Sequence, residues 1–219
     1  MVDERLARLL KEIQAEALAT ATYTGIAAFS PRTMAALTAV PRPEFVPADE
    51  QVSAYLDVPL PIGHGQTISQ PYIVALMTDL LELAPATRVL EVGAGSGYQA
   101  AVLAQLAQTV HTVEIVPELA RTCRERLARL GVANVVVHAG DGSAGLAAEA
   151  PFDAILVAAA ARHVPPALVA QLKPGGRLAI PLGVEGGAQE LVLVRKNARG
   201  EVSARPVLPV RFVPLTGRD

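Results

Sequence analysis

The sequence predicts an α/β protein built on a mostly parallel, doubly wound sheet, with an N-terminal helical extension and an antiparallel C-terminal hairpin. Three observations support this fold class. From Thr87 onward, short β-rich runs alternate with helical stretches, and the runs are almost continuously apolar, as strands covered on both faces are. Residues 1–86 instead combine helical periodicity with irregular segments. Residues 190–215 contain two β-rich runs around a polar turn and no helical pattern, which predicts the hairpin.

Two helices are predicted before residue 41. The first covers residues 3–18 and has charged residues on the face opposite its apolar one. Its apolar residues at helical spacing are Leu6, Leu9, Leu10 and Ile13. The second begins with Ser30 as its cap and Pro31 at the first helical position, and it ends before Pro41.

The rest of the extension is predicted to be irregular until a third helix. Segment 40–47, VPRPEFVP, holds too many prolines for a helix or a central strand. The third helix follows Ser69. Its apolar stripe consists of Ile73, Leu76, Met77, Leu80 and Leu81.

The alternating half is predicted to begin at Thr87. The predicted strands are 88–92, 109–115, 134–139, 152–159 and 176–182, and the predicted helices are 97–107, 117–131 and 165–172. The polar turn of the terminal hairpin is 196–200. We predict a single domain over 1–219, in which 1–86 form an N-terminal helical extension and 87–219 form the α/β sheet.

Composition narrows the class of protein. The 219 residues fit one domain with a large core, and a net charge of −2 with a pI near 6.1 argues against nucleic-acid binding. Cys123 is the only cysteine, so an intrachain disulfide is impossible, in agreement with a reducing compartment. Charged residues interrupt the first turns where a leader would be apolar, and the longest apolar runs are too short to span a bilayer. We predict a cytoplasmic monomer that binds no metal and no membrane.

A glycine-rich loop follows the first strand of the alternating half. Gly93, Gly95 and Gly97 allow a tight turn and a close approach of backbone to a ligand, at the sheet edge where such folds bind ligands. A dinucleotide fingerprint requires glycine where Tyr98 stands. The preceding acid, Glu91, suits a cationic amino-acid ligand better than a pyrophosphate. The alternative is a tight turn without a ligand.

Acidic residues follow the next two strands. Glu114 ends the second strand, where a carboxylate can accept both hydroxyls of a ribose, although a solvated strand-end carboxylate is the alternative. Asp141 and Gly142 follow the third strand, where Asp141 could bond an adenine amino group, although Asp-Gly is also a common turn. Signals at the ends of three successive strands together indicate a pocket for S-adenosylmethionine.

The stretch 63–71, GHGQTISQP, has more polar groups than a loop before a helix needs. Thr67 with Gln70 matches a capping box, and Ser69 is also an acceptable N-cap. One helix needs one cap, so at least one hydroxyl is spare, unless all these groups serve local capping and turns. His64 is interpreted as a turn residue.

Four segments of the chain resemble the protein-L-isoaspartate O-methyltransferase family. They are LPIGHGQTISQPYIVALMTDLLEL, VLEVGAGSGYQAAVLAQL, GDG with APFDAI, and LKPGGRLAIPLG. The resemblance covers nearly the whole chain and implies a Rossmann-like class I methyltransferase fold. It also implies transfer of a methyl group from S-adenosyl-L-methionine to the α-carboxyl of L-isoaspartyl residues in damaged proteins and peptides, with S-adenosyl-L-homocysteine as product. The ester then closes to a succinimide, which opens partly to normal aspartate.

The resemblance also implies roles for individual residues. Ser69 matches the family's active-site serine. The implied cofactor-binding residues are Gln66, Thr67, Ile68, Glu91, Gly93, Gly95, Glu114, Ile115, Asp141 and Gly142. The implied substrate-binding residues are Thr67, Ser69 and Val213. The sequence departs from residue types common in the family at Ala158, Ala161 and Glu149.

The sequence leaves two alternatives to this function. One is another methyltransferase of the same fold that acts on a small molecule or a modified peptide. The other is a catalytically silent binding module, against which the intact cofactor motifs argue. A nicotinamide dehydrogenase is disfavoured by Tyr98, and a serine hydrolase is disfavoured because no G-x-S-x-G is present.

Overall fold

The computed structural model describes residues 3–217, and it confirms the three predicted N-terminal helices. They are α1 (Glu4–Thr24), α2 (Pro31–Ala39) and α3 (Pro71–Leu80). The Asp3 side chain accepts from the Arg5 amide at the start of α1, and the predicted cap Ser30 accepts from the Thr33 amide. Helix α1 runs six residues beyond the predicted range and ends where Gly25 adopts a left-handed conformation (φ 78°).

The region between α2 and α3 contains a β-hairpin that the sequence analysis did not predict. Two short 3₁₀ helices, Arg42–Phe45 and Ala48–Glu50, precede β1 (Leu60–Gly63) and β2 (Gln66–Ile68), which pair antiparallel. His64 (φ 53°) and Gly65 (φ 69°) form the turn, and two positive φ angles in a two-residue loop are typical of type I′ hairpins. Strands of three and four residues are too short to show alternation, so only their packing reveals them.

The alternating half forms a seven-stranded sheet. The strands are β3 (Arg88–Val92), β4 (Thr109–Glu114), β5 (Val135–Ala139), β6 (Phe152–Val157), β7 (Leu172–Gly183), β8 (Gln189–Lys196) and β9 (Val202–Val210). The helices are α4 (Tyr98–Ala104), α5 (Pro117–Arg129) and α6 (Pro166–Gln171). The strand order is β5-β4-β3-β6-β7-β8-β9, parallel from β5 to β7 and antiparallel in β7, β8 and β9. Both the parallel sheet and the terminal hairpin are therefore as predicted.

The strand order places one end of the sheet at the functional centre. The chain leaves β3 toward β4 on one side and later returns to β6 on the other, so β3 lies at the topological switch point. Ligands of doubly wound sheets bind outside the carboxyl ends of the strands at such a point. The loops after β3, β4 and β6 meet there.

The core covers both faces of the sheet. One buried cluster joins the face that includes Val89 to helices α1 to α5, and the other joins the face that includes Leu90 to α6. Because the first cluster runs from Leu9 to Val207, the N-terminal extension and the sheet share it. The division of the chain at residue 86 stays a prediction.

Within residues 3–217, none of the helices combines the length and the hydropathy that crossing a membrane requires.

Candidate functional site

A cavity lies at the carboxyl ends of β3 and β4, under the β1–β2 hairpin. It brings together most of the residues that the sequence analysis singled out: Gln66, Thr67, Ile68, Ser69, Gly93, Gly95, Glu114, Ile115, Gly142 and Val213. Glu91 and Asp141 do not line it. The hairpin packs directly on the glycine loop, since a Cβ atom built on Gly95 (φ 50°) would lie 3.3 Å from Ile62 Cδ1. The backbone of the glycine loop therefore lines the cavity, and β1 packs on this loop through Ile62.

Glu114 is buried and holds two loops together. Its Oε2 accepts the Gly95 N–H at 2.8 Å, and its Oε1 accepts the Val116 N–H at 2.9 Å. Only 5% of the residue is exposed, so it is not the solvated strand-end carboxylate of the alternative interpretation. A carboxylate offers about four lone-pair sites, so each oxygen still has room to accept one hydroxyl. The arrangement therefore suits a vicinal diol such as that of a ribose.

Glu91 lies beneath the glycine loop and not in the cavity. It is fully buried, and neither of its oxygens has a hydrogen-bond partner among residues 3–217. Burial raises the pKa of Glu91 to about 8, and the charge of Glu114 acts in the same direction, while the nearby Thr112 hydroxyl opposes the shift without reaching hydrogen-bond geometry. At neutral pH the side chain is a neutral carboxylic acid. Glu91 can therefore affect a cationic ligand only indirectly, through the glycine loop between them.

Asp141 turns away from the cavity, while Gly142 lines it. The Asp141 carboxylate accepts from both the amide and the hydroxyl of Ser143, at 2.9 and 2.7 Å, and lies against Gly217. A Cβ atom on Gly142 would lie 2.5 Å from Val92 Cγ1, so glycine is required here by the packing of β3. The structure therefore keeps Gly142 beside the ligand region but does not bring the Asp141 side chain to it.

We predict that Gly142→Val displaces Val92, which itself lines the cavity. Overpacking of this kind lowers the free energy of unfolding by about 1–3 kcal/mol. The affinity for S-adenosylhomocysteine should fall in calorimetry, and the KM for peptide at saturating cofactor should stay close to the wild-type value. An equal loss of peptide affinity would contradict the assignment of this turn to the cofactor side.

The segment before α3 is not capped as the sequence analysis predicted. The N-cap residue is Gln70 and makes no side-chain capping bond, and Thr67 lies within β2, paired with Pro61. The capping-box prediction is therefore wrong. The Tyr72 amide donates instead to Asp57 Oδ1 at 2.8 Å. Asp57 was missed because a cap from 15 residues upstream leaves no local sequence signal.

Ser69 is consequently a spare hydroxyl. No hydrogen bond joins it to another residue within 3–217, and the side chain is half-buried. It faces a second cavity of about 420 Å³ next to the first. The two cavities share Thr67, Ser69, Ala158 and Val213. The predicted active-site serine thus lies where the two spaces meet.

The second cavity is walled by the chain after β9. Phe212 lines it, and its backbone is fixed by the buried Gln189 side chain, which accepts the Phe212 N–H at 2.6 Å and donates to its carbonyl at 3.1 Å. Glu16 of α1 and Arg211 also line this cavity, and the sequence analysis missed both. Only the packing of α1 and the C-terminal segment against α3 brings them there.

Comparisons with known proteins identify the family. A family model described as protein-L-isoaspartate(D-aspartate) O-methyltransferase matches residues 14–219. The chain belongs to this family.

Similar proteins agree with the assignment. Protein-L-isoaspartate O-methyltransferase 2 of Polaromonas sp. (strain JS666) is 57% identical over 96% of this chain and 100% of its own length. The protein of the same name from Syntrophobacter fumaroxidans is 54% identical over 96% of this chain and 85% of its own.

Solved structures agree as well. One, described as a protein-L-isoaspartate O-methyltransferase, has a TM-score of 0.84 at 27% identity and covers 97% of this chain and 66% of its own. Another, from Plasmodium falciparum and described as a complex with S-adenosyl-L-homocysteine, has a TM-score of 0.78 at 25% identity and covers 95% and 97%.

The residues that line the first cavity suit the cofactor of this family, S-adenosyl-L-methionine. Glu114 offers free lone pairs for a ribose, and the glycine loop offers exposed backbone. In this O-methyltransferase the intact site also argues against a silent binding module.

One of the three departures from the family's common residue types, Ala158, lines both cavities. Ala158 lies at the junction of the cavities, where it adds apolar surface beside Ser69. Ala161 donates its N–H to the Pro181 carbonyl at 3.0 Å, which a proline at this position could not do. Glu149 lines neither cavity, and its carboxylate lies 3.7 Å from Arg88.

Proposed function

We propose that Ser69 directs the substrate carboxylate in the reaction of this protein, which is methyl transfer from S-adenosyl-L-methionine to the α-carboxyl of L-isoaspartyl residues. The observation that carries this role is the Ser69 hydroxyl at the junction of the two cavities, which bonds to no other residue within 3–217. Ser69 lines both cavities, and it does not cap α3.

The chemistry requires positioning more than proton transfer. A substrate carboxylate is already ionised at neutral pH, so no strong base is needed. When bound, S-adenosyl-L-methionine supplies a methyl group on a sulfonium, which departs as a neutral thioether. The protein's task is then to align the acceptor oxygen and exclude water. A Ser69 hydroxyl that donates to one carboxylate oxygen leaves the other free to accept the methyl group.

The residues around the first cavity divide the binding of the cofactor among them. Glu114 would accept the ribose hydroxyls, and the backbone of Gly93 and Gly95 would hold the amino-acid portion. Gly142 would lie on the adenine side. Gln66, Thr67, Ile68 and Ile115 close the cavity from the hairpin and from the end of β4.

The second cavity receives the isoaspartyl residue. Thr67 and Val213 line it together with Ser69, and its volume of about 420 Å³ leaves room for an extended peptide segment. Proteins and peptides are the substrate class, and the methyl ester initiates repair through a succinimide. We place this reaction in a cytoplasmic monomer, in keeping with a single buried cysteine.

The direct test is methyl transfer from labelled S-adenosyl-L-methionine to an isoaspartyl peptide. The aspartyl isomer of the same peptide is the control, and it should accept no label. Equal labelling of the two isomers would contradict isoaspartyl specificity.

We predict that Ser69→Ala slows turnover of isoaspartyl peptide by about ten- to a hundredfold. One lost charge-assisted hydrogen bond is worth ~1.5–3 kcal/mol when it matters mainly in the transition state. The reaction should persist, because the substrate supplies its own nucleophile. The dissociation constant of S-adenosylhomocysteine should change little, and kcat and calorimetry together provide the measurement.

Ser30→Ala is the matched control for this substitution. Ser30 caps α2 and lies outside both cavities, so its loss should lower stability by ~0.5–2 kcal/mol and leave kcat unchanged. If Ser69→Ala behaves like this control, less stable but normal in turnover, Ser69 has no role in directing the substrate.

A further inference from the structure

The N-terminus of α3 is capped from outside the helix. Asp57, in the segment between the second 3₁₀ helix and β1, accepts the Tyr72 N–H at 2.8 Å through Oδ1. Tyr72 is the second residue of α3, and its amide is one of those that a helix leaves without a partner. A carboxylate at this end of a helix is also favoured by the helix dipole.

The second Asp57 oxygen holds the neighbour of Ser69. Gln70 Nε2 donates to Asp57 Oδ2 at 3.1 Å and lies 3.5 Å from Glu16 Oε2. Burial, a hydrogen bond with Asp57 and the charge of Asp57 raise the pKa of Glu16 to about 7. Below this pH most Glu16 side chains are neutral. Ser69 is therefore followed by residues that Asp57 holds in place.

Ser69 itself does not cap this helix. It precedes the N-cap Gln70, and Gln70 cannot readily join the helix because the following Pro71 disfavours a helical backbone there. The start of α3 is therefore fixed from outside by Asp57, through the Gln70 side chain and the Tyr72 amide. Ser69 comes directly before these two anchored residues, and its hydroxyl makes no hydrogen bond within residues 3–217.

We propose that Asp57 is a positioning residue for methyl transfer, which anchors the start of α3 and thereby holds the Ser69 hydroxyl in place for the substrate carboxylate. The inference rests on the proposed role of Ser69. Asp57 lines neither cavity and acts through Ser69.

The test is a double-mutant cycle of Asp57→Ala and Ser69→Ala. Asp57→Ala should lower kcat for isoaspartyl peptide by about tenfold, the lower end of the Ser69→Ala effect, with an unchanged dissociation constant for S-adenosylhomocysteine. In the Ser69→Ala background the same substitution should leave kcat unchanged, because there is no hydroxyl left to misplace. A purely structural role of Asp57 would give the same loss in both backgrounds.

Two further variants complete the experiment. Asp57→Asn keeps an acceptor for Tyr72 but a neutral one, so kcat should fall only roughly two- to threefold, again only where Ser69 is present. This variant decides the question if Asp57→Ala does not fold. Asp3→Ala removes the acidic cap of α1, a residue that lines neither cavity, and should destabilise the protein without changing kcat.

The outcomes separate this inference from the role of Ser69. Slow turnover in Ser69→Ala together with normal turnover in the Asp57 variants overturns the inference alone. Losses that multiply in the double variant also overturn it. Normal turnover in Ser69→Ala overturns the role of Ser69, and with it the role of Asp57.

Discussion

Glu114→Ala is expected to weaken the binding of S-adenosylhomocysteine by about ten- to a hundredfold while the chain stays folded. Hydrogen bonds to a charged group contribute ~1.5–3 kcal/mol, and the substitution removes the acceptor assigned to the ribose hydroxyls. It also releases the Gly95 and Val116 amides, which Glu114 holds at 2.8 and 2.9 Å. Since Gly95 belongs to the loop assigned to the cofactor, the loss of affinity should be closer to about a hundredfold than to about tenfold. Isothermal calorimetry measures it directly.

Two variants control this experiment. Glu114→Gln keeps one acceptor oxygen but no charge, so its affinity should lie between those of wild type and Glu114→Ala. Glu118→Ala makes the same change of charge at an exposed position in the first turn of α5 and should bind normally. An unchanged dissociation constant in Glu114→Ala would mean that the ribose is held elsewhere.

Glu91→Gln is expected to abolish a large part of the dependence of stability on pH between 4.5 and about 8. The pKa of Glu91 rises from its ordinary value of 4.5 to about 8, mainly through burial. Between these two values the folded protein holds a proton that the unfolded chain has released. The free energy of unfolding therefore falls as pH rises through this window, by up to about 1.4 kcal/mol per pH unit, and levels off above it.

Denaturant titrations of both proteins between pH 5 and pH 9 are the measurement. Glutamine has no proton to lose, so the variant should gain stability relative to wild type as pH rises. Glu16→Gln is the matched control. Glu16 is a second acid whose pKa is raised, to about 7, and it lies in a different part of the fold. The changes in the free energy of unfolding caused by Glu91→Gln and by Glu16→Gln should add in the double variant, since the two residues share no partner within residues 3–217. Parallel pH profiles of Glu91→Gln and wild type would show that Glu91 does not titrate there.

Much of this protein was determined by the sequence alone. Strand and helix order after Thr87 follows from local apolar periodicity, which depends on residues close together in the chain. Gly95, Glu114 and Gly142 could be assigned to one site because the carboxyl ends of neighbouring parallel strands lie at the same edge of a sheet. A spare hydroxyl before α3 was also predicted, although the prediction assumed a local cap where the structure has Asp57. The family followed from motifs that lie at these same positions.

Only the tertiary structure decided which polar groups cap helices and which lie in the core. Asp57 caps α3 across 15 residues, and the β1–β2 hairpin is too short to leave a pattern. Glu91, which sequence reasoning assigned to the cofactor, lies beneath the loop because the alternation of β3 turns it into the core. Gly142 is constrained by Val92 of a different strand. In each case the deciding contact joins residues far apart in the chain, and such contacts depend on how the elements pack and not on local periodicity.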